Sequence, residues 1–208
     1  MSYVRFLTFV EGYTDELLLK HVLAHLLNSL PECTGIHYDF KFIWYASKKP
    51  DDTNKYIRSL TSMMNQILLI DYLLISDINS FPCITAKKQA LQNRFPALRK
   101  HKIIIVIKEI ESWYMAGIPS NFAEKWGIKP HILSSTDDIN KEEFLEIMEN
   151  VDDFKKLKSH VEIYQAIIEV FDIEIALSRN ESFRYFYNKV LVLIKNLCQT
   201  ANSLSNSS

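Results

Sequence analysis

The 208-residue sequence reads as an α/β domain: a mostly parallel sheet of about four strands flanked by helices, followed by a helical carboxyl-terminal half. Three observations give this reading. Short apolar, β-branched runs alternate with longer stretches of helical periodicity through the first half, the order of parallel strands joined by crossover helices. The strand runs are apolar almost without interruption, as in strands covered on both faces. With only 4 glycines and 6 prolines, the chain lacks the turn formers that an all-β sandwich requires.

Residues 4–10 form a first strand that ends at Glu11-Gly12. Thr14 is placed to cap the following helix, where Leu17, Leu18, His21, Val22, His25 and Leu26 recur at helical spacing. Pro31 and Gly35 mark its exit, and residues 38–45 (YDFKFIWY) alternate as a strand. After a basic loop at Ser47, Lys48, Lys49 and Pro50, Asp51 or Asp52 caps a helix carrying Tyr56, Ile57, Leu60, Met63, Met64 and Ile67. Residues 72–76 (YLLIS) make a central strand ending at Asp77. A helix is expected at 85–94 and then the strand IIIVI at 103–107, followed by Glu109 and Glu111. Beyond Glu111 the strand signal stops, and 112–116, 122–126, 141–148, 161–171 and 182–197 read as helices. The expected organisation is an α/β core over 1–118, a helical part over 119–200 packed on it, and a small, polar, flexible tail over 201–208.

The net charge is −1, from 24 basic and 25 acidic residues. That balance removes the simple argument for a dedicated nucleic-acid binder, although not for a local basic patch. Cys33, Cys83 and Cys198 are odd in number and widely spaced, so reduced, partly buried thiols are expected rather than a disulfide or a zinc site. No membrane span and no leader are expected, and the expected location is cytoplasmic.

Open parallel sheets bind ligands beyond the carboxyl ends of their strands. Three strands here carry acids at that end: Glu11, Asp77, and the pair Glu109 and Glu111. Clustered carboxylates repel unless a cation lies between them, and a hard divalent ion such as Mg²⁺ or Mn²⁺ suits oxygen ligands. The competing reading is that each acid caps or complements the helix after it. GxxxxGK[ST], GxGxxG and GxSxG are all absent, so nucleotide-loop and serine-hydrolase readings have no anchor.

Several segments resemble a known family. FVEGYTDELLLKHVL looks like the opening of a Toprim domain, with a strand, a glutamate, a glycine and a helix; LLISDINS looks like that domain's later acidic DxD strand. IIIVIKEIESWYMAG and FDIEIALSRNESFRYFYNKV, with its Ser182-Phe183 pair, resemble small bacterial Toprim-like proteins related to the overcoming-lysogenization-defect (OLD) nucleases. The resemblance covers most of the chain in short patches. It implies a Mg²⁺- or Mn²⁺-dependent enzyme that cuts phosphodiester bonds in nucleic acid, working with a partner ATPase in phage defence or DNA repair. Glu11, Asp77 and Glu111 would be the catalytic acids, with Asn79 and Glu109 assisting as metal ligands. The second acid of DxD is Asn79 here, which offers an oxygen without charge, so a catalytically degenerate interaction or sensor subunit is the alternative. A phosphatase or phosphotransferase would want Asp where Glu11 stands.

Lys87, Lys88, Lys108, Arg179 and Arg184 are the candidate phosphate or nucleic-acid contacts, and the loop at Ser47–Pro50 and the segment 98–102 are the densest basic patches. His21 and His25, four residues apart without the Glu of HExxH, read as helix-face residues. Trp113 reads as packing rather than base stacking. Ser182 lacks a recognisable His and Asp to make it a nucleophile.

Overall fold

The computed structural model describes residues 3–63 and 69–205. Met64 and Ile67, placed above on a helix, lie outside the described residues. Four strands, β1 (Tyr3–Val10), β2 (His37–Trp44), β3 (Leu69–Asp77) and β4 (Ile103–Val106), form one sheet in the order β2-β1-β3-β4. β1 pairs in parallel with both β2 and β3; Phe9, for example, lies opposite Ile43 on one side and Leu74 on the other. The near-continuous apolar runs 6–10, 72–75 and 103–106 of β1, β3 and β4 are buried, as the sequence pattern requires of strands covered on both faces, while Arg5 in β1 is half-buried and Asp71 interrupts β3.

Three helices join the strands: α1 (Tyr13–Ser29), α2 (Pro50–Met63) and α3 (Ile84–Arg94). α1 begins two residues earlier than expected. Thr14 is not its cap; instead the Asp15 carboxylate accepts the Gly12 N–H at 2.6 Å. Leu18, Leu19, Val22, Leu23 and Leu26 form its buried stripe, His21 sits at the margin and His25 is exposed. The later chain holds α4 (Glu111–Ala116), α5 (Ser120–Lys125), α6 (Pro130–Ser134), α7 (Lys141–Glu149), α8 (His160–Val170), α9 (Ile173–Arg179) and α10 (Glu181–Ser205). α6 and α9 carry too few periodic residues for the sequence to announce them. α10 continues through 201–205, read above as tail, with Ala201 buried.

The chain divides into two compact units. The first comprises Met1–Ser76, Ser80–Ile105 and Asn188–Ser208; the second comprises Asp77–Asn79 and Val106–Tyr187. In the first, Cys33 and Cys198 are joined by a disulfide, which corrects the expectation of three reduced thiols. A 3₁₀ turn (Pro31–Cys33) and α10 bring together two cysteines 165 residues apart, a proximity that sequence spacing does not encode. Lys195 pairs with Glu32 at 3.0 Å beside this link. Cys83 is a free, exposed thiol. No helix among the described residues is long and apolar enough to cross a membrane.

In the second unit, the indole of Trp113 is fully buried and stacks on Phe186 at 4.9 Å, so it packs a core rather than offering a face to a base. Gly117 ends α4, and a Cβ there would lie 2.2 Å from the Phe171 ring, which is why only glycine fits.

Candidate functional site

Glu11 follows β1 directly, at the carboxyl end of an interior strand. Its Oε1 accepts two hydroxyls, from Tyr45 at 2.9 Å and Ser76 at 2.7 Å. Both donors occupy the same structural position on neighbouring strands: Tyr45 follows β2, and Ser76 is the penultimate residue of β3. The carboxylate is half-buried and held in one orientation by these bonds. Burial, and then the nearby Glu11 charge, push the Tyr45 phenol well above its ordinary range, so it stays a donor. Neither Tyr45 nor Ser76 was picked out from the sequence; their placement just at strand ends was the available signal.

In the second unit, Asp77 is half-buried and Asn79 is exposed, with a left-handed backbone (φ 51°) and its amide 3.4 Å from the Asp77 carbonyl. Asn adopts this conformation more readily than most residues, which gives Asn79 a turn role besides any ligand role. Lys108 shares the left-handed conformation (φ 60°) and is exposed. Glu109 accepts the backbone N–H of Lys141 at 2.5 Å and so caps α7. Glu111 is 3% exposed, and its Oε1 accepts the Tyr164 hydroxyl at 2.6 Å. Burial pushes the Glu111 carboxyl up, and the tyrosine bond only partly offsets that. The Tyr164 ring packs edge-on against Tyr114 at 4.9 Å.

The basic candidates scatter. Arg179 donates to the carbonyls of Ile118 at 2.5 Å and Ala116 at 3.4 Å, closing the end of α4 instead of facing solvent. Arg184 donates to the Leu177 carbonyl at 3.1 Å. Lys87 is buried with its ammonium over the Phe81 ring at 5.0 Å. Ser182 accepts the Trp113 indole N–H at 2.7 Å and donates to Asn180 at 2.9 Å, so it is a bridge in a buried network. Asn180 spends its amide on Ser112 and Thr136.

A divalent ion draws several oxygen donors to about 2.0–2.1 Å for Mg²⁺. Among the described residues, no group of three or more His, Cys, Asp or Glu is so arranged. Glu111 fits an ion poorly, being buried against a phenol and biased toward its neutral form; Glu109 is occupied by a helix N-terminus.

Comparison with known proteins adds no relative. No family model, no curated protein and no solved structure matches the chain.

Proposed function

We propose that this chain is a Toprim-like module whose acidic strand ends have taken structural duties, and that it works as an interaction or sensor subunit beside a partner. An ATPase in a phage-defence or DNA-repair pair is the partner that the sequence resemblance suggests. The observation that carries the reading is Glu111. The acid of the EIESW segment is enclosed, bonded to Tyr164 and displaced toward its neutral form. Asn79, in place of the second acid of DxD, supports the same reading. A cytoplasmic location belongs to the proposal, and the Cys33–Cys198 bond would then have to persist in a reducing compartment.

Calorimetric titration of Mg²⁺ and Mn²⁺ into the wild type, Glu11→Ala and Asp77→Ala tests this, alongside incubation with single- and double-stranded DNA and RNA. The expected result is no saturable metal binding, no cleavage and no difference between variants. Metal binding that Glu11→Ala or Asp77→Ala abolishes, together with cleavage, would establish the other reading, a Mg²⁺- or Mn²⁺-dependent nuclease. The half-exposed, doubly bonded Glu11 favours that second reading.

A further inference from the structure

Among the described residues β2 is an edge of the sheet: β1 pairs with one side of it and no strand pairs with the other. Its register with β1 runs without a bulge from Tyr3↔His37 to Val10↔Trp44, and it contains no proline. β4, the opposite edge, is 4 residues long and buried throughout. Proteins ordinarily blunt their edge strands with shortness, bulges, proline or cover. β4 is short and covered. β2 is 8 residues long, regular and, Ile43 apart, half-buried or exposed.

This edge has a defined polarity. The N–H and C=O of one strand residue point to the same side, and the side alternates along the chain. The Tyr45 N–H donates to the Val10 carbonyl at 3.0 Å, so the odd-numbered residues here turn their backbone groups toward β1. Tyr38, Phe40, Phe42 and Trp44 therefore aim theirs outward. The side chains of Tyr38, Phe40 and Phe42 share one face of the sheet, where Tyr38 and Phe40 stack at 6.4 Å, and all three are half-buried. Asp39 and Lys41 share the other face. Asp39 pairs with Arg5 at 2.7 Å, whereas Lys41 is exposed and, among the described residues, forms no ion pair.

We propose that β2 pairs antiparallel with β2 of a second copy of this chain, about a two-fold axis at Phe40, and so joins two four-stranded sheets into one. The residue pattern selects both the occupant and the register. Outward backbone groups must meet outward backbone groups, so Phe40 faces Phe40 and Tyr38 faces Phe42 at the hydrogen-bonded positions. Aromatic residues then meet aromatic residues across the seam. In the same register Asp39 of each copy stands opposite Lys41 of the other, at the non-hydrogen-bonded positions where side chains approach most closely. Moving the axis by one residue sets Asp39 against Asp39 or Lys41 against Lys41. Moving it by half a residue sets outward groups against inward ones. The strand is thus complementary to itself in one register, as a two-fold contact requires. This contact goes beyond the function proposed above, because it uses no metal, no strand-end acid and no other protein.

Sedimentation velocity of the full chain over a concentration series should show a reversible monomer–dimer equilibrium. K41D and D39K each place two like-charge pairs at the seam, and each should raise the dissociation constant roughly tenfold or more. An equimolar mixture of the two variants should recover association as a heterodimer, since one chain then presents only acids at these positions and the other only lysines. A folding defect cannot produce that recovery, and thermal melting checks each variant. Amide exchange of the wild type gives a second reading. Protection of the Tyr38, Phe40 and Phe42 amides should rise with concentration, while the Asp39, Lys41 and Ile43 amides, bonded to β1, should not change. A chain monomeric at every concentration, a dimer indifferent to both variants, a mixture that stays monomeric, or protection that rises only outside β2 would overturn the proposal. Metal titration and cleavage read none of these quantities, so the two proposals fail separately.

Discussion

The two units bury their carboxylates in opposite ways. In the first, Asp71 interrupts an apolar strand and receives the ammonium of Lys102, charge against charge, with both groups under 10% exposed. In the second, Glu111 receives a phenol from Tyr164, and the cation that acts on it, Lys141, is exposed. An ion pair compensates a buried charge but leaves a large penalty when one partner is removed. A neutral donor compensates only part of the desolvation, so the carboxyl shifts toward its protonated form instead. Burial alone thus does not fix what an acid becomes; its partner does.

The largest effect that could break this contrast is at the ion pair. Asp71→Ala leaves the Lys102 ammonium enclosed and should cost about 3–5 kcal/mol, read by urea unfolding; a loss under about 1 kcal/mol would mean that water reaches the pair. Next, Cys33→Ser/Cys198→Ser should lower stability by about 2–4 kcal/mol, and reductant should destabilise only the wild type. An unchanged urea midpoint would show that the link is not formed in solution.

On the other side of the contrast, Tyr164→Phe removes the donor to Glu111 and should cost about 1–3 kcal/mol. Glu111→Gln tests its sign with pH. The folded carboxyl lies above its ordinary value of 4.5, so the folded state binds more protons than the unfolded state just above that pH. Stability should therefore fall as pH rises from about 4.5 through the raised folded value, and Glu111→Gln should abolish that decline. A decline that persists in the variant would assign it to another group. The smallest effect is expected from Tyr45→Phe, about 0.5–1.5 kcal/mol, because Glu11 keeps Ser76 and has access to water.

The sheet was legible because its information is local. Near-continuous apolar runs at β1, β3 and β4 leave few other structures open to those segments, and an acid lies at or within a few residues of each strand end: Glu11 after β1, Asp77 closing β3 and Glu109 beyond β4. Lys102 shows the limit. Its segment reads as a solvated basic loop, and only Asp71, an acid set within an apolar strand, hints that one of the lysines turns inward. Tyr164 gives no hint at all, since an aromatic on a helical stripe looks the same whether it fills a core or bonds a carboxylate 53 residues away. Cys198 likewise lies in an ordinary helical pattern; only the fold reveals its proximity to Cys33. The candidate acids were thus found by position, while their states were set by partners from distant parts of the chain.

The division of α10 between the units has a consequence for synthesis. Residues 188–205 supply the first unit with Val190, Ile194, Cys198 and Ala201, all buried, and with half of its disulfide. During vectorial translation, the amino-terminal sheet emerges long before these residues and waits, with part of its interior incomplete, while the entire second unit is made. Chaperone demand should therefore be greatest for nascent chains that stop just short of residue 188, and Cys33 and Cys198 can be joined, with an external oxidant or disulfide taking up the two electrons, only once α10 has left the ribosome.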